Sequence, residues 1–270
     1  MTTIEKLKNV NKSGKFICVG LDTDPKKIPP HLSSTKNPVV EFNRQIIETT
    51  KDLAAAYKLN LAFYESEGIK GLENLEGTLS FIPGNVVTIA DGKRGDIGNT
   101  SKMYAQSLFE HFKFDSTTLN PYMGKDSLEP FLDYTDKLNF ILVLTSNPGS
   151  SDFQKQKLQS GNYLYQEVLQ KIHDWNSAKN CGIVFGANNL SELKDNMENI
   201  RELPLLIPGV GAQGGNLSET VKILIANNKS SFLINVSRGI IQKSLGKDFS
   251  DAARKELTAL NNTISGIISR

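Results

Sequence analysis

Cysteine and histidine are scarce in this 270-residue chain: two cysteines, three histidines and a single tryptophan. Cys18 and Cys181 lie far apart, each inside an apolar run, so buried reduced thiols are expected rather than a disulfide framework. His31, His111 and His173 are scattered, and no CxxC or HExxH spacing occurs. No metal site is expected. Charge of one sign is also missing. Thirty-one basic residues stand against 29 acidic ones, a net charge of +2, which gives no electrostatic case for nucleic acid or an anionic membrane. No apolar run reaches the length of a membrane span, and the N-terminus MTTIEKLKNVNKSGK has no apolar core of a secretory signal. A cytoplasmic protein is the expectation. The 39% apolar share is enough for a sizeable core, and 270 residues suit one domain of barrel size.

What is present is a regular alternation. Apolar, β-branched runs at 16–21, 56–63, 86–90, 116–119, 140–144, 181–186, 204–208 and 231–236 read as eight strands. Helical periodicity follows nearly all of them, at 39–53, 68–81, 103–111, 127–134, 163–175, 190–200, 218–226 and 250–264, with a short helix at 2–11 ahead of the first. The terminal ISGIISR reads as solvated surface. Strict alternation implies a parallel sheet, and eight units favour a closed (β/α)8 TIM barrel, with residues 1–270 as a single domain.

The chain is organised around residues 86–101, VVTIADGKRGDIGNTS. A buried strand delivers Asp91, Lys93, Arg94 and Asp96 within six positions. Alternation points Asp91 and Lys93 the same way as the strand ends. Asn99, Thr100 or Ser101 is the expected cap of the following helix. In the second strand Lys58 and Asn60 share one face, and Tyr57, Leu59 and Leu61 the other. A lysine facing inward must find a partner for its ammonium.

In a barrel every strand's C-terminal end faces one mouth, where this fold places its chemistry. Those ends carry Asp22, Lys58 with Asn60, Asp91 with Lys93, Asn120, Ser146, Pro208 with Gln213, and Arg238. Residues 209–214 match GxGxxG, the dinucleotide fingerprint. The match falls late in the chain, and Asn235-Val236-Ser237-Arg238 offers no acidic residue to hold a ribose. A phosphate site built from the loops after the seventh and eighth strands fits better, with backbone N–H groups on the anion and Arg238 as its fork. The polar segment 150–161 is long for a βα connection and reads as a mobile lid.

The spacing of Asp91, Lys93, Asp96, Ile97 and Thr100 resembles the orotidine 5′-phosphate decarboxylase family, in its longer bacterial-type branch. The resemblance covers the whole chain: Gly20-Leu21-Asp22, Tyr57-Lys58-Leu59-Asn60, Asn120-Pro121-Tyr122, Thr145-Ser146-Asn147-Pro148-Gly149, the 208–214 loop and Ser237-Arg238-Gly239. Gly92 stands where alanine is expected. The resemblance implies decarboxylation of orotidine 5′-monophosphate to UMP with neither cofactor nor metal. It implies a catalytic tetrad of Lys58, Asp91, Lys93 and Asp96, with Lys93 protonating C6 and Asp91 beside the departing carboxylate. Lys58 would hold Asp91 and the ribose hydroxyls, Asp22 the ribose, and Ser146 the pyrimidine edge. Gln213, Arg238 and the Gly239 N–H would take the phosphate. It also implies a homodimer in which Asp96 and Thr100 reach into the partner's site. Asn60, Asn120 and Pro208 complete the candidate substrate-binding set. Two rivals share parts of the pattern: a Mg²⁺-dependent sugar-phosphate lyase on the same barrel, and a non-catalytic UMP sensor.

Overall fold

The computed structural model describes residues 1–211 and 214–269. Eight parallel strands close on themselves: β1 (Ile17–Gly20), β2 (Ala56–Asn60), β3 (Val87–Arg94), β4 (Ser116–Leu119), β5 (Leu138–Leu144), β6 (Cys181–Phe185), β7 (Leu205–Ile207) and β8 (Phe232–Val236). The pairing runs in chain order, and β8 closes on β1 through Ile17 with Ile234 and Cys18 with Asn235. This is the expected (β/α)8 barrel.

Alternation along the strands divides the core into two shells. Cys18, Ala56, Ile89, Phe140, Leu206 and Leu233 point inward and fill the lower lumen. Tyr57, Leu59, Ala90, Ile141, Ile183 and Ile207 point outward into a larger shell beneath the helices. The helix Thr3–Lys12 closes the floor: Leu7 and Val10 pack into the lumen, and Asn11 exchanges hydrogen bonds with the Phe232 backbone. Lys229 lies at the same end. Its buried amine, whose pKa burial pulls down to about 7, donates to the carbonyls of Ile200, Arg201 and Leu203, satisfying backbone groups left open where the helix Met197–Ile200 ends.

Among the described residues the chain departs from its pattern at several points. β2 stops at Asn60, whose side chain accepts a hydrogen bond from the Ala62 N–H at 3.2 Å and caps the helix Leu61–Glu65. Residues 61–63 are therefore helical, and an apolar run alone does not reveal such a cap. β3 runs on through the charged residues to Arg94, with a register shift against β4 between Ala90 and Arg94. The next helix, Gly98–Gln106, starts ahead of Asn99, Thr100 and Ser101, with Ile97 at its cap position and no side-chain cap. At the C-terminus the helix Phe249–Ile268 continues past its expected end; Leu257 and Ile264 are fully buried, and Leu260 and Ile267 extend the same stripe.

Candidate active site

At the C-terminal mouth of the barrel lies a cavity of about 510 Å³. Its two halves differ in chemistry. β1 to β4 contribute Asp22, Lys58, Asn60, Asp91, Lys93 and Thr118, while β5 to β7 contribute Leu142, Val184 and Leu206.

The charged half is a continuous chain. Lys58 Nζ donates to Asp91 Oδ2 at 2.7 Å and lies 3.5 Å from Asp22 Oδ1. Lys93 Nζ donates to Asp91 Oδ1 at 2.7 Å. The side chains of Lys58 and Asp91 are 5% and 10% exposed, that of Lys93 49%. Burial opposes the Lys58 ammonium, but Asp91 and Asp22 outweigh it and hold its pKa above the ordinary lysine value. Burial likewise opposes ionised Asp91, and Lys58 with Lys93 hold its carboxyl well below the usual carboxylate range. The inward lysine has found the partner that its burial demands.

Lys93 is held in a conformation that side chains seldom adopt, with φ of 47°. Its N–H donates to Thr118 Oγ1 at 2.9 Å, and the same hydroxyl donates to Asp91 Oδ1 at 2.9 Å. Thr118 thus fixes the backbone of one charged residue against the side chain of the other. Strain of this kind persists only where the surroundings over-determine it, and it clusters at functional sites. Gly92, where alanine is expected, is loosely constrained. A Cβ there would lie 2.9 Å from Leu61 Cδ1 and 3.2 Å from Arg94 Nε, both on movable side chains, so an alanine would ask only a small shift of these two neighbours.

Opposite the charged chain the wall is formed by Pro208, Gly209 and Val210 after β7, and by Ser237, Arg238 and Gly239 after β8. Gly209 and Gly211 take φ of 99° and 75°, which the loop needs glycine to reach. Arg238 and Gly239 open the short helix Arg238–Ile241, so their N–H groups have no intrahelical acceptor. Gln213 lies outside the described residues.

Ser146 and Asn147 line the cavity at the end of β5. The segment expected as a lid folds back on itself: Gln154 hydrogen-bonds Thr145, and Lys157 bridges to Tyr163. Three candidates stand outside the cavity lining. Asn120 caps the turn Pro121–Met123 by accepting from the Tyr122 N–H at 3.1 Å. Asp96 accepts from the Ile97 N–H at 2.8 Å, and Thr100 is exposed on the helix beyond it. Around them the surface carries Ile97 at 58% exposure, Met103 at 55% and Tyr122 at 79%.

Sequence reasoning passed over Thr118, Gln154, Asn235 and Ser237 as cavity residues. For Thr118 a signal was present: Ser116-Thr117-Thr118 is a polar run within a strand, and such a hydroxyl must face some partner. Among the described residues no cluster of three or more His, Cys, Asp or Glu side chains stands together to hold a metal ion. Nor is any described helix long and apolar enough to cross a membrane.

Comparisons with known proteins bear on the family of this chain. Residues 15–253 match the family model described as orotidine 5′-phosphate decarboxylase / HUMPS family. The chain is 45% identical over 271 residues to the orotidine 5′-phosphate decarboxylase of Flavobacterium johnsoniae, covering 99% of this chain and 98% of that one. It is likewise 45% identical to that of Dehalococcoides mccartyi, with 98% of each chain covered. The structure of Leishmania donovani OMP decarboxylase superposes with a TM-score of 0.81 at 33% identity, covering 98% of this chain and 100% of that one. With a matching barrel, a matching family model and near full-length relatives, this chain belongs to the orotidine 5′-phosphate decarboxylase / HUMPS family.

Proposed function

We propose that this chain converts orotidine 5′-monophosphate to UMP and CO2, with Lys93 as the proton donor. Its family carries the reaction class, and the alternating Lys58–Asp91–Lys93 charges carry the assignment to residues. In the reaction the C6–carboxylate bond breaks, the electron pair stays on C6, and CO2 departs. Lys93 Nζ delivers a proton to C6 and recovers one from solvent. An ammonium fixed beforehand near the developing carbanion stabilises it without reorganisation during the step. Asp91 places negative charge beside the departing carboxylate, and its two lysine bonds keep it ionised there. Leu142, Val184 and Leu206 offer an apolar floor on the other side, which strengthens these electrostatic terms by excluding water.

Lys58, anchored by Asp22 and Asp91, faces the ribose with Asp22. Ser146 reads the pyrimidine edge, and Pro208 packs beside the ring. Arg238 and the Gly239 N–H take the phosphate, with Gln213 from the preceding loop. Phosphate binding remote from C6 supplies energy that can be used at the reacting centre. No cofactor enters these steps.

We infer further that the working unit is a homodimer with a shared site. Asp96 and Thr100 stand outside their own cavity amid exposed Ile97, Met103 and Tyr122, as residues of a partner-facing rim would. A cytoplasmic setting suits Cys18 and Cys181, both free and buried. The first test is the loss of absorbance of orotidine 5′-monophosphate in excess EDTA, with wild type and Lys93→Ala side by side. Turnover in wild type that collapses in the variant supports the reading. UMP binding without turnover in wild type would point to a sensor, and Mg²⁺-dependent turnover of a sugar phosphate to a lyase.

A further inference from the structure

The end of β5 is held by side-chain amides that the reaction does not use. Asn188 Nδ2 donates to the Ser146 carbonyl at 2.9 Å. Asn189 Nδ2 donates to the Thr145 carbonyl at 3.1 Å and to Asn188 Oδ1 at 3.2 Å. Gln154 Oε1 accepts from the Thr145 N–H at 2.8 Å, and Gln154 Nε2 donates to Thr145 Oγ1 at 3.0 Å. That hydroxyl in turn donates to Asn147 Oδ1 at 2.6 Å. The Thr145 N–H and the carbonyls of Thr145 and Ser146 therefore each have a dedicated amide partner, from two different loops. From below, Gly186 abuts Ser146 so closely that a Cβ on it would lie 2.8 Å from Ser146 Cα.

β6 ends at Phe185 and cannot supply ladder bonds this far along. A loop exit at a barrel mouth is ordinarily served by water. Here it is served by neutral groups that each donate and accept, two of them side by side in the chain at Asn188 and Asn189. Asn189 is only 5% exposed, so its amide is committed to this contact. A recognition group displaced by about 1 Å loses much of its effect, and rigid supporting hydrogen bonds prevent that displacement.

We propose that Gln154, Asn188 and Asn189 form an amide clamp that sets Ser146 against the pyrimidine edge, and so act as positioning residues for recognition of the base. The proposal rests on the reading of Ser146 as the base-edge group. It predicts a selective defect: the clamp serves the base and leaves the ribose and phosphate contacts, which come from β1, β2, β7 and β8, in place.

The experiment compares UMP with ribose 5-phosphate, which lacks the base, by titration calorimetry. The proteins are wild type, Ser146→Ala, Asn188→Ala, Asn189→Ala, Gln154→Ala and Gln154→Glu. Asn188 is exposed, so its truncation leaves folding intact. Asn188→Ala and Gln154→Ala are expected to weaken UMP by about tenfold, while ribose 5-phosphate stays within about twofold of wild type. Gln154→Glu keeps the acceptor for the Thr145 N–H and should hold UMP better than Gln154→Ala. Equal weakening of both ligands would make the three residues general supports of the fold and overturn the proposal. So would wild-type affinity for both in Asn188→Ala and Asn189→Ala, provided that Ser146→Ala has lost the preference for UMP. If Ser146→Ala keeps that preference, the base-edge reading fails first and the clamp falls with it.

Discussion

Asp91→Asn interrupts the charge chain at its centre. Lys58 Nζ lies 2.7 Å from Asp91 and 3.5 Å from Asp22. At an effective dielectric of about 20 these separations correspond to about 6 and about 5 kcal/mol of attraction. Lost hydration offsets several kcal/mol for each buried ion. The variant leaves the buried Lys58 ammonium with Asp22 alone, so a destabilisation of about 3 kcal/mol is expected, or roughly 6–12 °C in Tm. Lys58→Met should cost less, about 1–2 kcal/mol, because Asp91 keeps Lys93 and Thr118. In the double variant neither an unpaired buried cation nor its anion remains. Its loss should fall short of the sum of the singles by about 2 kcal/mol. Urea unfolding of the four proteins at neutral pH measures this coupling. A value under about 0.5 kcal/mol would mean that the two groups do not act together, and the account of the charge chain would be wrong. Turnover of the same proteins should not follow stability: both singles and the double lose activity, because the chain of charges has to be present, not merely stable.

Four further outcomes are expected. Asp91 titrates lower in the folded chain than in the unfolded one. The stability difference between wild type and Asp91→Asn should therefore be constant above the unfolded value near pH ~4 and shrink as pH falls below it, as measured by urea midpoints across that window. Arg238→Ala should lower kcat/KM for orotidine 5′-monophosphate by about 10- to 100-fold through loss of a charged phosphate contact, as read in the absorbance assay. Lys93→Ala and Asp96→Ala, each inactive alone, should recover about a quarter of wild-type activity when mixed and allowed to exchange subunits, since one site of each mixed dimer is then intact; no recovery would sink the shared site. Lys229→Met should lower stability by about 2–4 kcal/mol, as three carbonyls lose their donor at the barrel floor, with kcat unchanged in a turnover assay.

The order of strands and the chemistry of their ends were decided by local sequence. Period-two alternation and the helical runs between strands need only nearest neighbours, so eight units, a parallel barrel and a rim bearing Asp22, Lys58, Asp91, Lys93, Ser146 and Arg238 could be read directly. The inward face of Lys58 was likewise legible, because alternation places it and burial demands a partner. What that partner is, and how the groups share it, belongs to the tertiary structure. Asp91 lies 33 positions from Lys58, and only the β2–β3 register, with Asn60 beside Asp91, brings them together. Thr118 became visible only when the shifted β3–β4 pairing set it against Lys93 and Asp91. The separation of a charged half from an apolar half, the αL conformation of Lys93, and the amides of Asn188 and Asn189 on the end of β5 are in the same class. Each depends on contacts across the barrel, which local propensity does not encode. Asp96 and Thr100 make the same point: the folded chain leaves them outside its own cavity, on a rim with exposed Ile97, Met103 and Tyr122.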